Sequence, residues 1–179
     1  MRILTFAASN SSVSINRQIA EYAGQVAGDT IDGAVIEALD IHDYEMPLYQ
    51  SDREDASGIP QLAHDFLAKI GSANAIIVAF PEHNGAYPAA FKNLFDWCSR
   101  VGREVWQSKP TVMLATSDGP GGAGRVLDFA VNAAPHFGGN VVGHLSVPEF
   151  SKVFDSDAGK LIDADLDTAL RELIGKLSD

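Results

Sequence analysis

Three stretches of this chain gather side chains able to hold an anion or a flat ring, and each one follows an apolar run. In ASNSSVSIN (8–16), Ser9, Ser11, Ser12, Ser14 and Asn16 stand just ahead of an amphipathic segment. Hydroxyls, an amide and free backbone N–H groups at a helix start can hold a phosphate with little formal positive charge. The same residues also suit an ordinary serine-rich helix cap. In FPEHNGAYP (80–88), Pro81 fixes the chain as it leaves the apolar run, Gly85 permits an unusual backbone angle and Pro88 opens a helix, so Glu82, His83 and Asn84 are put on display. The plainer reading is a tight Asn84-Gly85 turn beside a solvated histidine. In TSDGPGGAGR (116–125), Gly119, Gly121 and Gly124 satisfy G-x-G-x-x-G. That dinucleotide fingerprint belongs in a first βαβ unit with an acid ending the next strand; here it follows the fourth apolar run, and NVVGHLSV carries no carboxylate. A glycine-rich loop that lets backbone approach a flat ligand is the better reading.

Other chemistries find no matching pattern. The histidines at 42, 64, 83, 136 and 144 form no HExxH motif or close pair, which argues against metal catalysis. Neither a G-x-S-x-G elbow nor a Walker A run occurs. Cys98 is the only cysteine, so no internal disulfide and no CxxC zinc site can form, and its place on an apolar helical stripe assigns it to packing.

The elements that must position these loops are legible from hydrophobic spacing. Five mostly continuous apolar runs, 3–8, 34–39, 75–80, 111–116 and 140–145, suit strands covered on both faces. Between and after them run helical stripes through Ile15 to Val26, Ile59 to Ile70, Phe91 to Val101, Val126 to Phe137 and Leu166 to Leu177. Ser57 and Gly58 before Pro60, and Asp163 ahead of further acids, read as helix starts. Five βα units in alternation predict a doubly wound α/β sandwich: a five-stranded parallel sheet, order 2-1-3-4-5, with helices on both faces. Loops leaving the carboxyl ends of such strands meet in one crevice. The surplus residues fall in two long connections, 40–58 and 146–160, and connections of that length usually serve a site or an interface.

Composition limits the rest. The 179 residues suit one domain, and no stretch approaches the roughly 20 apolar residues of a membrane helix. A formal charge of −11 disfavours nucleic acid and anionic membranes as partners, so a bound phosphate must be held by local geometry. With the lone cysteine and no signal-like N-terminus, a cytoplasmic protein is expected.

Taken together, the three loops resemble those of the NAD(P)H-dependent FMN reductase family, which includes quinone, azo-dye and chromate reductases, and the resemblance covers nearly the whole chain. The second loop is the most specific: Pro81, Glu82, Asn84, Pro88, Lys92, Asn93, Asp96 and Trp97 match the family's P-E-Y-N-x-x-x-P-x-x-L-K-N-x-x-D-W. Ala8 to Asn16, Ile15 included, stand where the family's G-S-x-R-x-x-S-x-N wraps the FMN phosphate, and Ser117, Gly119, Gly121 and Gly122 resemble its serine-plus-glycines loop. Met46, Pro47, Leu48 and Tyr49 are similar to its connection after the second strand.

Two positions depart from the pattern. Ser11 stands where an arginine usually grips the phosphate, a charge-assisted contact of about 1.5–3 kcal/mol, and His83 replaces the tyrosine beside the ring. The resemblance implies a flavodoxin-like FMN-binding domain over residues 1–179. Ser9, Ser11, Ser14, Ile15 and Asn16 would face the phosphate, and Pro81, Glu82, His83, Asn84, Ser117, Asp118, Gly119, Gly121 and Gly122 the ring. FMN would carry the chemistry, NAD(P)H would supply hydride to a small-molecule acceptor, and His83 would at most modulate the flavin. It also implies a homodimer or tetramer pairing through the helix after residue 88 and the loop after the second strand. The rival reading is a flavodoxin-like electron carrier, against which stand the lack of a T-x-T-G-x-T first loop and of an aromatic in the third.

Overall fold

The computed structural model describes residues 1–178. Its main sheet holds β1 (Arg2–Ala7), β2 (Val35–Asp40), β3 (Ala75–Ala79), β4 (Pro110–Thr116) and β5 (Asn140–Val147), all parallel, in the order β2-β1-β3-β4-β5. This is the flavodoxin-like topology expected from the βα alternation. β3 is buried at every residue and β1 and β4 at nearly every one, while β2 and β5, the edge strands, are only half covered.

Helix α1 (Ile15–Thr30) and the last helix, α7 (Ala164–Gly175), close one face over Ile3, Ile77, Val112 and Leu114. Helices α3 (Gln61–Ser72), α4 (Ala89–Val101) and α5 (Gly124–Ala133) close the other over Leu4, Phe6, Val78, Phe80 and Met113. Alternate residues of each central strand thus feed two separate cores. Cys98 on α4 is fully buried, and burial pushes its thiol up to about 12, which keeps it protonated and inert near neutral pH. Asp163 caps α7 by accepting from the N–H groups of Asp165 and Leu166, and a shared cluster of Tyr22, Asp167 and Arg171 ties α7 to α1.

The two long connections carry more structure than their sequences suggest. Residues 41–58 contain a 3-10 turn (Ile41–Tyr44) and helix α2 (Ser51–Ser57), which buries no residue and so has no apolar periodicity to betray it. Asp52 and Glu54 favour its N-terminus, and Gly58, at φ 74°, ends it. Ser57 therefore closes a helix instead of opening one, and α3 begins just after Pro60. Past β5, helix α6 (Phe150–Val153) leads into a two-stranded ribbon of β6 (Phe154–Asp155) and β7 (Lys160–Leu161).

Candidate cofactor site

β1, β3 and β4 are neighbours, so their exits lie side by side on one rim, next to the point where the strand order reverses. Backbone bonds continue the sheet into the exits: Ala8 N–H donates to the Ala79 carbonyl (2.8 Å) and Phe80 N–H to the Leu114 carbonyl (2.8 Å). Asn16, 2% exposed, links the first exit to the third: its Nδ2 donates to the Thr116 carbonyl (3.0 Å) and its Oδ1 accepts from Thr116 N–H (3.1 Å). Its amide thereby holds the two loops together, and its backbone N–H takes no protein acceptor among the described residues.

The first loop is a cradle of neutral donors. Ser9 Oγ accepts from Ser11 N–H (3.2 Å) and Ser14 Oγ from Arg17 N–H (3.3 Å), so each hydroxyl spends its acceptor side inside the protein and keeps its proton for an incoming oxygen. Among the described residues, no protein acceptor takes the N–H groups of Ser12, Ser14, Ile15 or Asn16, the positions that open α1. Ser11 and Ser12 are exposed. The nearest cation along the chain, Arg17, is engaged by Asp40 at the end of β2 (2.6 Å), so its charge is already answered.

The second loop is a type I′ hairpin turn: Asn84 (φ 55°) and Gly85 (φ 78°) sit between His83 and Ala86, which exchange N–H···O bonds of 3.0 and 3.1 Å. The turn holds His83 and Asn84 out to solvent. Glu82 has a role the sequence did not announce: its carboxylate accepts from Val126 N–H (3.2 Å) and caps α5, fastening the second loop to the third.

The third loop is pinned from behind by the end of β5 and the segment after it. Glu149 and Phe150 donate their N–H groups to the carbonyls of Gly119 (3.2 Å) and Ser117 (3.1 Å), Asp118 accepts from Ser151 N–H (3.0 Å), and Ser146 Oγ donates to the Gly122 carbonyl (2.8 Å). These contacts divide the glycines. A Cβ at Gly122 would lie 2.3 Å from Ser146 Oγ and 2.9 Å from the Pro148 nitrogen, so that glycine serves the protein's own packing. Nothing crowds Gly121 or Gly124, and both line a crevice of about 530 Å³ with Glu82, Ser117, Ala123, Arg125 and Asp128. A second cavity, about 250 Å³, opens between Asn10 and the segment 41–48, against Ala89, Ala90 and Asn93.

Of the residues singled out in the sequence, Ser9, Ser11, Ser14, Ile15 and Asn16 gather at the first exit, Pro81 to Asn84 at the second, and Ser117, Asp118, Gly119, Gly121 and Gly122 at the third. Asn16, Glu82, Asp118 and Gly122 brace the loops. Ser9 and Ser14, the opening N–H groups of α1 and the rim near Gly121 offer free donors and open backbone. This donor set fits FMN: an anion-accepting cradle at one end and a smooth glycine lip at the other. The bracing roles went unread because each depends on a partner 24 to 100 residues away.

A model of the family described as NADPH-dependent FMN reductase matches residues 1–152. An NAD(P)H:quinone oxidoreductase of Solanum tuberosum is 31% identical over 170 residues, which cover 90% of this chain and 82% of that protein. Among solved structures, the flavoenzyme NAD(P)H:(acceptor) oxidoreductase FerB of Paracoccus denitrificans superposes with a TM-score of 0.74 at 23% identity, covering 98% of this chain and 94% of that one. An FMN-dependent NADH-azoreductase of Bacillus anthracis in complex with FMN has a TM-score of 0.71 at 12% identity, with all of both chains covered.

Proposed function

Because the chain belongs to the NADPH-dependent FMN reductase family, it is an FMN-using oxidoreductase, and we propose that it passes hydride from NAD(P)H through the flavin to a small acceptor such as a quinone, an azo compound, a metal oxyanion or free flavin. The observation that carries this reading is the rim itself: three neighbouring strand exits, cross-linked by Asn16–Thr116 and Glu82–Val126, present unspent donors side by side.

Bound FMN would supply the redox chemistry, accepting hydride and delivering it to the acceptor. The chain's part is placement. Ser9, Ser14 and the N–H groups of Ser12, Ser14, Ile15 and Asn16 hold the phosphate. Backbone N–H groups of Glu82, Asn84, Asp118, Gly119 and Gly121, which take no protein acceptor among the described residues, face the polar edge of the ring, where reduction builds negative charge. The Glu82 cap and the type I′ turn hold the second loop rigid against the third, which fixes that edge. His83, exposed on the turn, is a modulator at most.

No helix among the described residues is long and apolar enough to cross a membrane, and we place the protein in the cytoplasm, in keeping with its acidic charge and single buried cysteine. A homodimer through α4 and the segment 46–49 is supported by Leu48, 71% exposed beside that helix, and by the half-exposed Phe129 next to Tyr87.

The test is direct. Purified protein with FMN should consume NAD(P)H in the presence of a quinone, with parallel steady-state lines if donor and acceptor share one face of the ring. Absorbance that FMN leaves unchanged after dialysis, together with no turnover, refutes the proposal; flavin binding without NAD(P)H oxidation would instead establish the electron carrier.

A further inference from the structure

We propose that Arg125 anchors a phosphate group of the reduced pyridine dinucleotide as it docks on the flavin rim. This rests on the reductase reading above and adds to it the residue that recruits the hydride donor.

Most cations of the rim loops and their neighbours are committed to protein partners. Arg17 pairs with Asp40, Lys92 with Asp96, Arg100 with Glu54 and Lys152 with Glu149. Arg125 differs: among the described residues its exposed guanidinium makes no ion pair and donates no hydrogen bond. Its position is fixed even so. The stem lies against the second loop, with Cδ 4.0 Å from where a Cβ on Gly85 would stand, and its backbone belongs to the first turn of α5, beside the third loop. Arg125 therefore spans the two loops that frame the open glycine lip, and lines the crevice of about 530 Å³.

Two carboxylates also line that crevice, and neither takes the guanidinium. Glu82 is turned to the Val126 N–H, and Asp128, three residues along α5, makes no ion pair with Arg125. In a chain of net charge −11, an unanswered guanidinium at the mouth of the candidate site is the local attraction that an anionic co-substrate needs. Guanidinium matches phosphate in geometry as well as charge. The bare Gly121 and Gly124 leave room for an extended ligand to lie along the lip.

Two phosphate sources exist in the dinucleotide: the pyrophosphate common to NADH and NADPH, and the 2′-phosphate of NADPH alone. Titration calorimetry with ADP and with adenosine 2′,5′-bisphosphate separates them, and needs no turnover. Arg125→Ala should weaken at least one of the two probes about tenfold. If ADP is unaffected, the contact is to the 2′-phosphate, and KM for NADPH rises while that for NADH holds. If both probes weaken alike, or ADP alone weakens, the contact is to the pyrophosphate. Arg125→Lys should recover part of either loss, and KM for the acceptor should stay unchanged.

Undiminished affinity for both probes overturns the proposal. So does a shift in oligomeric state by sedimentation, which would make Arg125 a subunit contact. Wild-type protein that holds FMN yet oxidises neither NADPH nor NADH strikes the reductase reading itself, a result distinct from an Arg125→Ala variant that turns over and binds the probes as well as wild type.

Discussion

The stretch Pro81 to Trp97 divides into two regions of opposite character. Its first half, up to Gly85, belongs to the rim, where the N–H groups of Glu82, Asn84 and Gly85 take no protein acceptor among the described residues and His83 and Asn84 face solvent. Its second half, on α4, is a buttress with its polar groups spent. Asn93 Oδ1 accepts from Tyr49 N–H (2.8 Å), Asn93 Nδ2 donates to the carbonyls of Met46 (3.0 Å) and Pro47 (3.2 Å), and Trp97 Nε1 donates to the Pro47 carbonyl (2.7 Å). Tyr49 meets Trp97 edge to face at 5.0 Å, and Arg100 holds Glu54 of α2 at 2.9 Å. Unspent donors cost stability and persist where a ligand completes them, whereas satisfied buried groups fix a shape. One continuous stretch thus supplies a binding edge and the clamp that holds the segment after β2 in place.

The sharpest way to break this contrast is at Trp97, fully buried and anchored to Pro47. Trp97→Ala should cost about 3–5 kcal/mol of unfolding free energy, through the cavity and the freed carbonyl. Denaturant melts would show it; a cost under about 1 kcal/mol would mean that α4 does not carry the segment 46–49.

Gly122 tests the boundary, since it lies on the rim yet serves packing. An alanine there meets Ser146 Oγ at 2.3 Å and must hold φ 53°, so Gly122→Ala should cost about 2–4 kcal/mol, while Gly121→Ala, with open space, should cost far less. Equal costs in thermal unfolding would erase the distinction between bracing and open glycines. Asn93→Ala comes next, at about 1–3 kcal/mol, because it orphans Tyr49 N–H and the Met46 carbonyl, while the Pro47 carbonyl keeps Trp97 Nε1. Its signature is local: hydrogen exchange at Tyr49 should quicken while β3 stays protected.

These examples show what a linear reading reaches. The strands and the major helices followed from apolar spacing because burial writes itself into the sequence with a fixed period, and the sheet order matched the doubly wound topology preferred for five alternating βα units. Helix α2 did not, since a helix that buries nothing leaves no period. The loops were found from composition, serines before α1 and glycines before α5, but their division of labour was not. That Asn16 serves Thr116, or Glu82 the Val126 amide, is settled by strand order and register, and neither residue type reveals it. Asn93 and Trp97 were visible only through the family resemblance, with no mechanism attached until Pro47 was seen across from them.

The smallest expected effect sharpens the rim side. Arg17, the only cation near the first loop in sequence, is held by Asp40, so a phosphate there meets hydroxyls and N–H groups with no free positive charge. Ser11 is exposed on that loop, and Ser11→Arg would add a guanidinium at the position where the family resemblance puts one. The gain for FMN should be about tenfold in Kd, near 1.4 kcal/mol, reduced by solvent from the value of a buried charged hydrogen bond. Riboflavin, which lacks the phosphate, is the internal control, with both ligands followed by quenching of flavin fluorescence. Tightening confined to FMN, and weakened by added salt, places the phosphate at the first loop. Equal tightening of both ligands would locate the new contact at the ring, and unchanged FMN affinity would remove Ser11 from the cradle, leaving Ser9, Ser14 and the opening N–H groups of α1 to hold the anion alone.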